Sequence, residues 1–272
     1  MENPTTFPVA DLLDDERPMY EILMATLRYE ADTDLKAAKL ADDIKFFFRV
    51  ENRKNGGCDL MELWSLVLEM AQHIPSDHPW QDSLAQGLHL VRHEKSVLPG
   101  CDPAVWEDLP YLDLRMRELW NEDPSDGNIE EEIRKGEFSE WKNLNSFAAR
   151  FTNPSYLSFI LLGHWQIRLG LESTPTKGAA QECRLWVACE WFLRSAEIIY
   201  QEYVCTVEDP SPAYSTGPLC DEDIPQFGPA RWNFWKKRLA ELSAQAEELK
   251  LGSSIVERMS KAIEKMEAVE RA

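Results

Sequence analysis

The sequence predicts an all-α fold: an irregular multi-helix bundle of about nine to eleven helices around a tryptophan-rich core. Three observations predict it. Ten tryptophans occur in 272 residues, and from Trp64 to Trp235 they fall on amphipathic segments of helical period. Glycines number only 12, and the 16 prolines sit mainly between the periodic segments, which is the punctuation of helices joined by loops. No stretch sustains the alternation of a strand.

The segments follow in order. Residues 1–15 read as an acidic, proline-containing arm, and residues 16–272 as a single helical domain with a sub-boundary in the 122–136 loop. A first helix starts near Pro18 and carries Met19, Ile22, Leu23 and Leu27. Thr33 is positioned to cap a second, with Ala37, Ala41, Ile44, Phe47 and Phe48 on one face. Asn55-Gly56-Gly57 stops it. Asp59 and Glu62 form a capping box for a third helix bearing Leu63, Trp64, Val67, Ala71 and Ile74, which Pro75 ends. Asp77 precedes a fourth, with Trp80, Leu84, Leu88 and Val91. Asp102-Pro103 opens a short helix through Trp106, closed by Pro110, and Leu112, Met116 and Trp120 follow.

The segment 122–136 is polar, with Asp123-Pro124, Asp126-Gly127 and three consecutive glutamates. Beyond it, Trp141, Leu144, Phe147, Ala148 and Phe151 share a face, and Asn153-Pro154 separates them from Leu157, Leu161, Trp165 and Leu169. Residues 178–205 are apolar almost all round, which marks a central helix. Its narrow polar stripe is Glu190, Arg194 and Glu197, spaced to pair. A Pro/Gly/Asp-rich loop at 206–228 has the length of a lid or binding loop. Gly228-Pro229 opens a helix with Trp232, Trp235, Leu239 and Leu242, which Gly252 breaks. Ser254 and Glu257 can cap a terminal helix bearing Ile255, Met259, Ile263 and Met266.

Charge narrows the function. Lys and Arg total 29 against 48 Asp and Glu, a formal net charge of −19. Such a surface repels phosphate backbones and anionic lipid heads, so neither nucleic acid nor membrane is an expected partner. A protein partner or a small apolar molecule fits better. The first residues have neither the basic nor the apolar region of a signal peptide, and the apolar stretch near Tyr156–Leu162 is far short of the ~20 residues that span a bilayer. A cytoplasmic or nuclear location is expected. The six cysteines form no CxxC pair and read as reduced, buried small side chains.

No catalytic constellation, cofactor motif or metal set emerges. His89 and His93 share a helical face, but it points away from Trp80, which reads as a solvated histidine face rather than a metal site. His164, beside Trp165, reads as a core histidine before a general base. The best candidate for a ligand cavity is aromatic: Trp141, Asn145, Arg150, Trp186, Glu190, Arg231 and Trp235, with the 206–228 loop as lid. The competing reading makes these indoles core. The arginines discriminate. Arg150 or Arg231 aimed into apolar space favours an anionic ligand, and pairing with Glu190 or another acid favours architecture.

Four strings carry a resemblance: His78-Pro79-Trp80-Gln81, Trp106-Glu107-Asp108-Leu109-Pro110, Trp141-Lys142-Asn143-Leu144-Asn145-Ser146-Phe147-Ala148-Ala149-Arg150, and Arg231-Trp232-Asn233-Phe234-Trp235-Lys236. From about Leu60 to Leu239 the chain resembles a fungal domain-of-unknown-function family, numbered 3632. Near Leu171-Glu172-Ser173 it departs from the acidic helical run of that pattern. The resemblance implies a helical intracellular fungal protein and transfers no catalytic residue. Some such proteins are encoded near secondary-metabolite genes, which keeps an enzyme reading open. The leading expectation is a non-catalytic interaction or scaffold protein. The alternative is a small-molecule binder or enzyme of fungal secondary metabolism using the C-terminal aromatic cavity.

Overall fold

A computed structural model describes residues 7–9, 12, 14, 16–55, 60–93, 109–124, 135–153, 158–205, 210–221 and 223–272. The expected turn at Gly56-Gly57, the Asp59 cap and the Trp106 helix lie outside these. Ten α-helices are found among the described residues, with no strand-paired sheet. The chain divides into two compact units, Met1–Glu122 and Asp123–Ala272.

The first unit holds α1 (Arg17–Arg28), α2 (Thr33–Asn55), α3 (Leu60–His73), α4 (Pro79–His93) and α5 (Leu112–Trp120). Pro18 sits in the first turn of α1, where its missing N–H costs nothing. Met19, Leu23 and Leu27 of the predicted face are buried, with Tyr20 and Met24 beside them, while Ile22 is only partly buried. Within the segment read as an arm, Phe7 and Leu12 are buried, and Phe7 stacks on Tyr20 with ring centroids 4.4 Å apart.

Thr33 is not the cap of α2. The N–H of Leu35 donates to Asp32 Oδ1 at 2.8 Å, so the charged side chain one residue earlier satisfies the helix end and meets its dipole favourably. At the start of α4, His78 Nδ1 accepts from the Trp80 N–H at 3.3 Å. Gly87 lets α4 lie close on α2, because a Cβ there would stand 3.1 Å from Leu40 Cβ and 3.2 Å from the Ala37 carbonyl. Buried Gln81 donates to the carbonyls of Ala71 and Ile74 at 2.9 and 2.8 Å and closes the end of α3. Trp64 is fully buried and its indole N–H donates to the Pro110 carbonyl at 2.8 Å.

The second unit holds α6 (Lys135–Phe151), α7 (Ile160–Leu171), α8 (Ala179–Tyr200), a π-helical turn (Gln201–Cys205), a 3₁₀ turn (Pro212–Tyr214), α9 (Pro229–Ala244) and α10 (Ser253–Arg271). The apolar helix α8 is its axis, with α6, α7 and α10 packed around it. Its backbone departs from helical geometry at Ser195 (φ −131°, ψ 19°). The hydroxyl there donates to the Ala149 carbonyl at 2.9 Å and ties the kink to α6. Gly228, at φ 116°, makes the turn into α9 that a side chain would resist.

Two boundaries differ from the sequence reading. The helix α9 ends at Ala244, and turns follow through Lys250, at φ 56°. No Ser254 cap forms on α10. Glu182 accepts the Gly252 N–H instead, while Glu257 is drawn to Lys261 one turn on, at 2.6 Å. Trp191, Trp232 and Trp235 are fully buried, and Trp80, Trp120 and Trp141 nearly so. Among the other described tryptophans, Trp186 is half-buried and Trp165 is 38% exposed; the Trp165 N–H donates to the Ala213 carbonyl at 3.1 Å.

Gly163 on α7 faces the flat of Trp191, and a Cβ would fall 2.5 Å from two of its ring carbons. Gly163→Ala is therefore expected to destabilise the protein by about 1–3 kcal/mol in urea unfolding. The same change at Gly136, which has nothing within 4 Å, is expected to be near neutral.

Candidate functional site

The seven residues read as a ligand cavity separate into two buried polar networks in the second unit. The first is built on α7, the loop before α9, and α9 itself. Arg231 is fully buried one turn into α9. Its guanidinium has five N–H donors in a fixed fork, and all five are used. Nε and Nη2 grip Glu172 Oε1 and Oε2 at 2.7 and 2.9 Å. Nη1 donates to the carbonyls of Tyr214 and Gln226 at 2.8 and 2.9 Å, and Nη2 also to that of Ser215 at 3.2 Å.

Glu172, equally buried, is saturated in turn. Trp235 donates its indole N–H to Oε1 at 2.7 Å, and the Gly217 N–H donates to Oε2 at 2.6 Å. A Cβ on Gly217 would stand 2.5 Å from Glu172 Cβ. Burial raises the Glu172 pKa, but the hydrogen bond and charge of Arg231 outweigh it and hold the carboxyl below its ordinary value. The loop read as a lid is thus fastened by its own carbonyls to a core ion pair.

His164 lies beside this network at 1% exposure, its ring 5.5 Å from those of Tyr203 and Tyr214. Neither ring nitrogen has a well-formed hydrogen bond. Burial, and then the charge of Arg231, push its pKa down to about 3, so it is neutral. The buried hydroxyl of Tyr203 also lacks a partner, and burial pushes its pKa far up. Burial and then Glu172 push the Cys220 thiol up to about 11. Cys183 and Cys189, buried on α8, are pushed up to about 12. Cys205 is exposed.

The second network joins α6, α8 and α10. Glu190 is 2% exposed. Ser146 donates its hydroxyl to Oε1 at 2.5 Å, Arg194 Nε donates to the same oxygen at 3.0 Å, and Arg258 reaches Oε2. Arg150 stands 3.6 Å from Oε1 and donates to the Ser146 carbonyl at 3.3 Å. Half-buried Trp186 lies under Arg258, whose guanidinium carbon is 4.0 Å from the ring centroid. Asn145 has both ends occupied, donating to the Trp141 carbonyl and accepting from the Trp191 N–H, each at 3.0 Å. Trp141 is buried in the same wall.

Arg150, Glu190 and Trp186 therefore come together, as do Arg231 and Trp235, and each arginine faces an acid. Sequence reasoning missed Glu172, Ser146 and Arg258. The departure at Leu171-Glu172-Ser173 was the one signal near the first of these. Glu197 turns away from the expected stripe to pair with Lys265. Among the described residues no group of three or more His, Cys, Asp or Glu side chains is placed to hold a metal ion. The His93 side chain lies outside them. Tyr29, Leu35, Lys36 and Lys39 border a groove of about 370 Å³ in the first unit.

A family model described as a protein of unknown function (DUF3632) matches residues 64–239. No curated protein and no solved structure matches the chain. No helix among the described residues is long and apolar enough to cross a membrane.

The buried neutral histidine makes stability pH-dependent. Unfolded, its pKa returns toward 6.5; folded, it is about 3. Between those values the unfolded chain holds a proton that the folded chain does not, so stability falls as pH drops below 6.5. The slope from this group is at most about 1.4 kcal/mol per pH unit. Glu172 adds to the loss below its ordinary value of 4.5. His164→Phe, which keeps the ring between the tyrosines, is expected to flatten the pH dependence of urea unfolding below 6.5.

Proposed function

We propose, from the premise that this chain belongs to the DUF3632 family, that it is a non-catalytic interaction protein of the cytoplasm or nucleus. Its occupant is a partner protein with a basic, partly apolar face. The observation that carries this reading lies on α1 and α2. Tyr29, Leu35 and Phe46 are 62%, 56% and 57% exposed. Leu35 and Phe46 are eleven residues apart, about three helical turns, so they lie on one side of α2. Glu30, Asp32, Asp34 and Asp42 stand exposed around them. Apolar side chains left in water inside a charged rim, which Lys36 and Lys39 share with these acids, have the composition of a protein-binding surface, and the net charge of −19 speeds encounter with a basic partner. The arginines offered for a ligand are engaged by Glu172 and Glu190, which supports an architectural role for the aromatic half.

A second reading, a small-molecule site in the C-terminal half, is favoured by one observation. The ring nitrogens of His164, which reach only the Ser215 backbone and without good geometry, and the hydroxyl of Tyr203, which has no partner, are buried together, and such groups cost about 1–3 kcal/mol each unless something pairs with them.

Leu35→Glu and Phe46→Glu change exposed side chains and are expected to leave thermal stability unchanged. On the interaction reading, the purified native complex contains one stoichiometric partner, released by raised salt and absent from both variants. A partner retained by both variants would count against it. So would turnover of a small molecule by the isolated chain that is lost in His164→Phe.

A further inference from the structure

Two guanidinium groups, those of Arg194 and Arg258, share the one carboxylate of Glu190, and Arg150 stands 3.6 Å away. Lys142 Nζ lies 5.8 Å from the Trp186 ring centroid, on the same indole that Arg258 covers. Lys142 has no ion pair among the described residues. Glu197 and Glu257, the nearest acids along α8 and α10, are turned to Lys265 and Lys261. This cationic patch sits on a chain whose net charge is −19.

Its donors are not used up. Arg194 spends only Nε on Glu190 and its side chain is 37% exposed. Its two terminal nitrogens therefore present a free fork of the kind that binds an oxyanion bidentately. Arg258 is 23% exposed. Burial depresses its pKa, Cys189 works against this, and the neighbouring Arg150 lowers it further. Close like charges in a partly desolvated place are stabilised by an added anion.

We infer that this cluster is a binding site for a small dianionic oxyanion, of the phosphate or dicarboxylate class, held by the Arg194 fork, Arg258 and Lys142 at the edge of Trp186. Glu190 holds the arginines in place from beneath. The single carboxylate leaves room for a dianion and disfavours neutral ligands. This site is independent of the partner surface on α2.

The test is calorimetric titration of the full chain with inorganic phosphate, and separately with succinate, in mildly alkaline buffer against sodium chloride at matched ionic strength. Saturable binding of either anion is expected, with a dissociation constant on the order of 1 mM. Arg194→Gln and Lys142→Gln alter side chains outside the core, so melting temperature checks that both variants fold. Each is expected to weaken binding at least about threefold, and the double variant to abolish saturation. Arg115→Gln, in the first unit, is expected to bind as the unaltered protein does. Binding of one anion alone assigns the class. Responses to both anions no different from sodium chloride would overturn the site, as would unaltered binding in the double variant.

Discussion

Arg231 and Glu172 are the buried charges on which the second unit depends. Taking both from water is costly, and the cost is recovered only if every donor and lone pair finds a partner of good geometry. Here the guanidinium fills its five donor positions and the carboxylate its four acceptor positions. The pair therefore fixes more than itself. It sets where α7 ends, how α9 approaches, and where the backbone from Tyr214 to Gln226 must run.

That constraint explains the character of the neighbourhood. Gly217 is glycine because its N–H must reach Glu172 closely. Trp235 is oriented by its indole hydrogen bond as well as by packing. His164 stays neutral because it is buried beside a permanent cation. The loop that length alone suggests is a lid is held at its carbonyls by a core side chain, so its opening would strand a buried guanidinium. A fastened loop and saturated arginines suit a framework better than a gated cavity. The cluster around Glu190 differs, because there two guanidinium groups share one carboxylate and donors remain toward solvent.

Much of this architecture was legible because helices repeat. Leu23 and Leu27, or Leu144, Phe147 and Phe151, declare a buried face through spacing alone, and the all-round apolar character of α8 announces the axis of its unit. Capping was less legible. Asp32 and Thr33 are both good caps, and one residue of chain direction decides between them. Ser254 and Glu257 match a capping box, yet Lys261 offers Glu257 a stronger partner. The buried networks were the least legible. Glu172 and Arg231 are 59 residues apart, and no period links them. Three of Arg231's five acceptors are backbone carbonyls, which every residue carries. Sequence identified Arg150, Glu190 and Arg231 as unusual polar groups among aromatics, but only the fold shows which acid each one meets.

A double-mutant cycle on Glu172 and Arg231, read by urea unfolding, tests the central constraint most directly. Glu172→Leu and Arg231→Met alone each strand a buried charge, and each is expected to cost about 3–5 kcal/mol. The double variant removes both charges and is expected to be more stable than either single one, which gives a large coupling energy. Additive effects of about 1 kcal/mol or less for the two single variants would contradict an interaction that organises the unit.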